Sequence, residues 1–180
     1  MKKGMFFALI VFVILSISGC GASQGPSIKS ALKIDVYGLV TVDYDMPSDQ
    51  MIAAGNYDSH FNISASDIKN FTVTNSGKIE VLFQLVNFND HPIESADVLT
   101  ELDALGLRPA TLQEMLAFGA KLPEIQRQFP IIALGSVYKQ ASSGYSYVPC
   151  LDGDTDRRVL HMEKYLNVWY IYYRFLAVPK

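Results

Sequence analysis

Four acids, Asp152, Asp154, Asp156 and Glu163, fall at positions 1, 3, 5 and 12 of a calcium-binding loop, with Val159 at the apolar eighth place. Oxygen ligands at that spacing can wrap a hard cation. Position six of such a loop needs glycine for its sharp turn and here holds Arg157, Arg158 adds a second cation, and no helical pattern flanks the segment. The expectation is therefore an acidic turn between strands, with calcium as the alternative. Cys150 and His161 are a thiol and an imidazole that could act as nucleophile and base, but a cysteine beside Pro149 in an apolar run is expected to be a small buried hydrophobe. His60, His91 and His161 stand too far apart for a metal-ligand spacing. Glu101 and Asp103 project from different sides of a helix and read as a solvated face. No nucleophile elbow or glycine-rich phosphate loop is present, so the residues suggest no catalytic group and no cofactor.

The remaining set with chemical potential is aromatic: Tyr165, Trp169, Tyr170, Tyr172 and Tyr173. Read as one strand, Asn167, Trp169, Ile171, Tyr173 and Phe175 share one face, while Val168, Tyr170, Tyr172, Arg174 and Leu176 share the other. Both faces are apolar. A central strand covered on both sides gives this pattern, and so does a recognition patch of stiff amphipathic rings with Asn167 or Asp156 at its rim. The two readings stay open, and the candidate ligand-binding residues are Asp156, Tyr165, Asn167, Trp169, Tyr170, Tyr172 and Tyr173.

The elements that must position these residues centre on 92–120, read as two short helices meeting at a tight corner. Ile93, Val98, Leu102 and Leu105 recur at helical spacing, Ser95 offers an N-cap oxygen, and Gly106 suits a left-handed stop. Arg108-Pro109 forbids continuation. Thr111 then caps a second helix with Glu114 completing a capping box, and Leu112, Met115, Leu116 and Phe118 form its stripe before Gly119. Upstream, alternation through Leu32, Ile34 and Val36, a break at Gly38, and resumption at Val40, Val42 and Tyr44 predict a bent strand. Ser48 is expected to cap a short helix ended by Gly55. Residues 56–70 read as a loop with one helical turn at 66–70, and 71–88 as a hairpin turning at Asn75-Ser76-Gly77. Downstream, 122–129 reads as a short amphipathic helix, 131–138 as an interior strand, 141–144 as a turn, and 145–148 and 158–162 as strands. The class is α+β, with β-hairpins packed over the helix pair.

Composition bounds the rest. The 180 residues are 49% apolar and 12% aromatic, enough to fill the core of one domain. Lys2 and Lys3 precede an apolar run from Met5 to Leu15, too short for the roughly 20 residues of a membrane span, and Ser18-Gly19-Cys20 supplies small residues at its end. Residues 1–19 are thus expected to be a signal peptide. Removing Lys2 and Lys3 moves the formal charge of −3 to −5, and with no basic run this argues against nucleic acid as a partner.

Ile17-Ser18-Gly19-Cys20 resembles the lipobox of bacterial lipoproteins. The resemblance implies that Cys20 is acylated and becomes the mature N-terminus, with 20–30 as a flexible tether and 31–180 as a single globular domain. It implies a location in the cell envelope, on the outer or periplasmic side, with the membrane as a partner through the acyl chains. Cys150 is then the one remaining thiol, so no intramolecular disulfide is expected. Further motifs, the Tyr44–Tyr57 stretch, Ser95–Gly106, the Gly106-Leu-Arg-Pro-Ala-Thr-Leu-Gln-Glu114 turn and the closing Tyr173–Val178, resemble the ordered landmarks of C-type-lectin-like domains of the formylglycine-generating-enzyme type, the sulfatase-modifying-factor-like group. Ala110 between Pro109 and Thr111 departs from that pattern by one residue. The chain is also similar to uncharacterised bacterial proteins that share the Leu-Arg-Pro-Ala-Thr turn, the Ala133-Leu-Gly-Ser136 segment and the Arg-Phe-Leu-Ala-Val end. The enzymes of the family use a pair of cysteines, which this chain lacks, so their catalysis does not carry over. The resemblance implies a twisted antiparallel C-type-lectin-like domain that binds an envelope protein, a peptide or a glycan without catalysis. The alternatives are an assembly lipoprotein without a small ligand, or an enzyme of unknown type.

Overall fold

Alternating burial along the strands divides the interior into two cores, one on each face of a large sheet. In this computed structural model, residues 32–61, 71, 75–88, 91–166 and 168–180 are described. The signal peptide, Cys20 and its tether, the turn expected at 66–70, most of the strand expected at 71–74, and Asn167 lie outside them. The described elements are β1 (Leu32–Asp43), α1 (Ser48–Gly55), β2 (Ser59–Phe61), β3 (Lys78–Phe88), β4 (Ile93–Glu94), α2 (Ser95–Ala104), β5 (Leu107–Pro109) and α3 (Leu112–Lys121). There follow β6 (Ile131–Ile132), β7 (Tyr138–Lys139), β8 (Ser146–Gly153), β9 (Arg158–Lys164), β10 (Val168–Trp169) and β11 (Arg174–Pro179). The main sheet runs β1-β3-β11-β6-β8-β9-β2, with β5 added to β11 and β7 to β8. Its pairs are antiparallel except β6 with β11 and β2 with β9. The protein is α+β: among the described residues there are three helices and a mostly antiparallel sheet.

Neighbouring residues on each strand feed opposite cores, as the period of two requires. Leu85, Ile131, Leu151, Leu176 and Val178 join Val40, Val42, Met51, Leu112, Met115, Leu116 and Phe118 under α1 and α3. Val86, Ile132, Cys150, Phe175 and Ala177 join Val98, Leu102, Leu107 and Trp169 under α2. The two helices of the expected pair therefore do not form a unit. β5 inserts beside β11 between them, and their apolar stripes go to opposite faces of the sheet.

Several local expectations are met. Gly38 (φ 82°) sits at a bulge in β1, where the register with β3 shifts between Val36 and Gly38. Gly106 is left-handed at φ 72°. Thr111 and Glu114 make the reciprocal capping box of α3. Other expectations need correction. Ser95 is the first residue of α2 and its hydroxyl makes no cap bond, because it is engaged by Trp169. Leu105 is exposed rather than part of the α2 stripe. Ser48 starts α1 without a side-chain cap, while the helix does end at Gly55, with Asn56 left-handed behind it. Gly119 does not stop α3, which runs two residues further; its Cα faces Tyr57, whose hydroxyl would lie 2.5 Å from an added Cβ.

Downstream of α3, residues 123–128 form successive turns, not a helix, since Pro123 follows directly on the C-cap Leu122 and brings no N–H. The strand expected over 131–138 lasts two residues, because Gly135 must pass beneath the carbonyls of Pro109 and Ala110, which would stand 2.6 and 2.5 Å from a Cβ there. Ser59–Phe61, expected as loop, adds to β9. β3 pairs with β1 and β11; the first strand of the expected 71–88 hairpin lies mostly outside the described residues. The acidic turn between β8 and β9 is present as expected.

Candidate functional site

The expected aromatic strand is broken in the middle. β10 ends at Trp169, residues 170–173 turn, with the Tyr173 N–H donating to the Tyr170 carbonyl at 3.2 Å, and β11 begins at Arg174. The break re-aims the rings. Tyr170, Ile171 and Tyr172 are 58%, 48% and 51% exposed, whereas Trp169 is fully buried. Trp169 is thus corrected from a candidate contact residue to a core residue: its Nε1 donates to Ser95 Oγ at 2.8 Å, and Ser95 Oγ donates to the Leu166 carbonyl at 2.5 Å. The Tyr170 and Tyr172 rings stack at 5.9 Å and 14°, and the half-buried Tyr173 lies between Tyr172 (4.7 Å) and Trp169 (5.1 Å, edge-on). An aromatic path therefore runs from core to surface.

The turn is held from behind. Asn87, buried at the end of β3, donates through Nδ2 to the carbonyls of Ile171 and Tyr173, both at 2.9 Å. Arg174 Nη1 approaches the carbonyls of Ile171, Tyr172 and Tyr173 at 3.1, 3.2 and 3.2 Å, its guanidinium resting over the Phe129 ring at 4.7 Å. With its carbonyls occupied, the turn has little freedom left to lose on contact with anything, which is what preorganises a binding surface. The Asn87 Oδ1 has no hydrogen-bond partner among the described residues, a cost that the clamp carries. Asn87 carried no sequence signal of this role; only a long-range pairing of β3 with β11 brings it to the turn.

The other predicted residues lie elsewhere. Tyr165 is half-buried where β9 ends, its N–H donating to the Ser146 carbonyl. Asp156 is exposed in the β8–β9 turn, with β6 and β8 standing between β9 and β11 in the sheet. Nor are the four acids a cradle. Asp154 Oδ1 accepts from the N–H groups of Asp156 and Arg157 at 2.9 and 3.0 Å, and those donors hold its carboxyl below the usual range. Asp152 is paired with Val159 and Glu163 with Val148, so four residues of strand, about 13 Å, separate them. Among the described residues no three His, Cys, Asp or Glu side chains group as metal ligands. Cys150 pairs with His161 across the ladder but is buried, and burial raises its thiol well above the ordinary value, so the thiolate is suppressed.

Two polar networks matter to the architecture. Glu114 is fully buried, and burial alone would raise its carboxyl, yet it receives both Arg108 nitrogens (2.6 and 3.0 Å), the Tyr44 hydroxyl (2.6 Å) and the Thr111 N–H (2.7 Å), which together lower it. These residues, Tyr44 apart, belong to the Gly106–Glu114 turn singled out in the sequence. Ala110 N–H donates to the Leu176 carbonyl, Gly135 N–H to the Ala110 carbonyl, and Leu112 N–H to Ser136 Oγ. The 107–111, 133–136 and 174–178 segments thus converge on Pro109 and Ala110. The second network is Arg158, whose guanidinium donates to Gly55 O (2.7 Å) at the end of α1, to Gly119 O (2.7 Å) near the end of α3, and to Gln126 Oε1 (3.0 Å). A cation there completes orphan carbonyls at the negative ends of two helices. In the sequence Arg158 registered only as an argument against calcium.

A groove of about 460 Å³ between β1, α1 and α3 is lined by Leu39, Met46, Met51, Leu116 and Ala117, with Lys121 at its rim. A second cleft of about 330 Å³ carries Asp58, Glu124, Arg127 and Arg158, charges of both signs. Among the described residues no helix is long and apolar enough to cross a membrane. No family model, curated protein or solved structure matches the chain at a significant level, so the site stands on its own geometry.

Proposed function

We propose that the protein is a lipoprotein of the bacterial cell envelope, anchored by acyl chains on Cys20, whose domain is C-type-lectin-like and binds through the Tyr170–Tyr172 turn without catalysing a reaction. The observation that carries the binding reading is three consecutive exposed apolar side chains on a turn whose carbonyls are tied down by Asn87 and Arg174. Unforced exposure of two tyrosines and an isoleucine costs solvation, and a clamp that holds them outward makes sense for a contact surface. The anchoring part is supported by the lipobox, and the lectin-like part by the order of its motifs. Against catalysis stand the missing cysteine pair and the state of the perturbed groups: Glu114 is saturated with donors, and burial raises Cys150, Tyr57 and Tyr173, keeping them uncharged.

The test has two arms. Cys20→Ser is expected to abolish lipid labelling and to accumulate precursor, and processing of that variant to the ordinary mature size overturns the anchor. Tyr170→Ser with Tyr172→Ser is expected to leave the melting temperature within a few degrees while removing photo-crosslinks to envelope components. Crosslinking that matches wild type overturns the turn as the binding surface.

A further inference from the structure

The position of the turn relative to the start of the domain narrows what it meets. β1 begins at Leu32, paired with Phe88, and Lys33 is paired with Asn87. Asn87 is the residue whose side chain holds the Ile171 and Tyr173 carbonyls. One strand spacing and one side-chain hydrogen bond therefore separate the chain's entry into the sheet from the exposed turn, about 10 Å in all. The segment between Cys20 and Leu32 is short and can reach at most about 40 Å. The chain therefore enters the sheet at the end that carries Tyr170, Ile171 and Tyr172.

The turn itself suits a lipid surface better than a protein. Three side chains of one turn expose well under the roughly 800 Å² that each partner contributes to a stable protein interface. Two tyrosines flanking an isoleucine combine an apolar body with hydroxyls that stay hydrated, the amphipathic character found at the level of lipid headgroups. One shallow insertion is weak alone, but the tether keeps the turn at high effective concentration over the bilayer. We propose that the Tyr170–Tyr172 turn is a membrane-interface contact, seating in the headgroup region of the bilayer in which Cys20 is anchored and setting the domain turn-downward. The inference rests on the anchored reading above and names what the turn touches.

The mature chain, Cys20 to Lys180, contains every described residue and can be coupled through Cys20 to a maleimide lipid in phosphatidylethanolamine–phosphatidylglycerol vesicles, Cys150 being buried. Tyr172→Trp places an indole on the turn. Tyr145→Trp places one on an equally exposed tyrosine before β8, at the opposite end of the sheet: Leu151 is level with Arg174 through Ile131, and β8 starts five residues back from Leu151. With brominated acyl chains, the emission added by Tyr172→Trp is expected to be quenched at least about two-fold more than that added by Tyr145→Trp, and to shift to the blue. Equal quenching at the two positions, or none at either, overturns the membrane contact, and so does quenching that requires an added envelope protein. Because coupling replaces biological acylation, this result is independent of whether Cys20 is labelled in cells.

Discussion

Arg158 is the residue whose environment is hardest to reconcile with a passive surface cation. It is 5% exposed, its guanidinium bonds go to neutral oxygens, its Nε has no partner among the described residues, and it lies 5.0 Å over the Tyr57 ring. Burial lowers its affinity for the proton, as expected for a cation taken out of water. What offsets that cost is the geometry of the guanidinium, whose fork reaches the ends of α1 and α3 at once and joins both to Gln126. Gln126 in turn donates to the Asp152 and Val159 carbonyls. Arg158→Met removes the donors and leaves buried carbonyls unpaired, which is expected to cost about 3 kcal/mol or more. Arg158→Lys is expected to recover little, because a single ammonium cannot span both termini. Chemical denaturation of the two variants checks this, and a lysine variant as stable as wild type would show that charge alone, not the fork, holds the helices.

At the scale of elements, what was legible was what is local. The capping box at Thr111 and Glu114, the left-handed Gly106, the interruption of β1 at Gly38 and the acidic turn before Arg158 each follow from residues within a few positions of one another. What was not legible depends on partners far along the chain. The aromatic stretch breaks at 170 because Asn87, more than 80 residues away, supplies donors to the turn. The helices part because β5 finds an edge on β11. Ser95 reads as a cap from its neighbours, but Trp169 reaches it from 74 residues on. Of the candidate site, the aromatic character of 165–173 is legible in the sequence, but periodicity does not separate Trp169 in the core from Tyr170 and Tyr172 outside. Placing α2 over its own core changes what its mutation reports. Leu102 is fully buried among Val98, Leu107, Trp169 and Phe175, so Leu102→Ala is expected to cost about 2–5 kcal/mol. Since that cluster also seats Trp169 behind the turn, the same variant is expected to loosen Tyr173, seen as faster exchange of its amide. Wild-type stability in Leu102→Ala would mean that the second core is not closed.

For the molecule as a whole, Glu114 at one end and the raised thiol and phenols at the other set the pH range over which it holds together. Glu114 has its folded value lowered from 4.5, the net of burial raising it and the Arg108, Tyr44 and Thr111 donors lowering it further. A carboxyl depressed in the fold stabilises above its unfolded value, and that contribution is lost as pH falls through the unfolded value toward the folded one. Cys150, Tyr57 and Tyr173 are displaced the other way, raised chiefly by burial from 9.0 for the thiol and 10.0 for the phenols. An acid held protonated by the fold stabilises below its unfolded value and loses that contribution as pH climbs past it. Stability is therefore expected to show a plateau bounded by a fall below about pH 4.5 and another above about pH 9. The acid limb should belong largely to Glu114, the fully buried carboxylate joining β5, α3 and the end of β1 in one network. Glu114→Gln keeps the volume but gives Arg108 a neutral partner. It is expected to lower stability at pH 7 and to flatten the acid limb while leaving the alkaline limb in place. Melting curves across pH decide it, and an acid limb of unchanged slope in Glu114→Gln would assign acid sensitivity to the surface carboxylates instead.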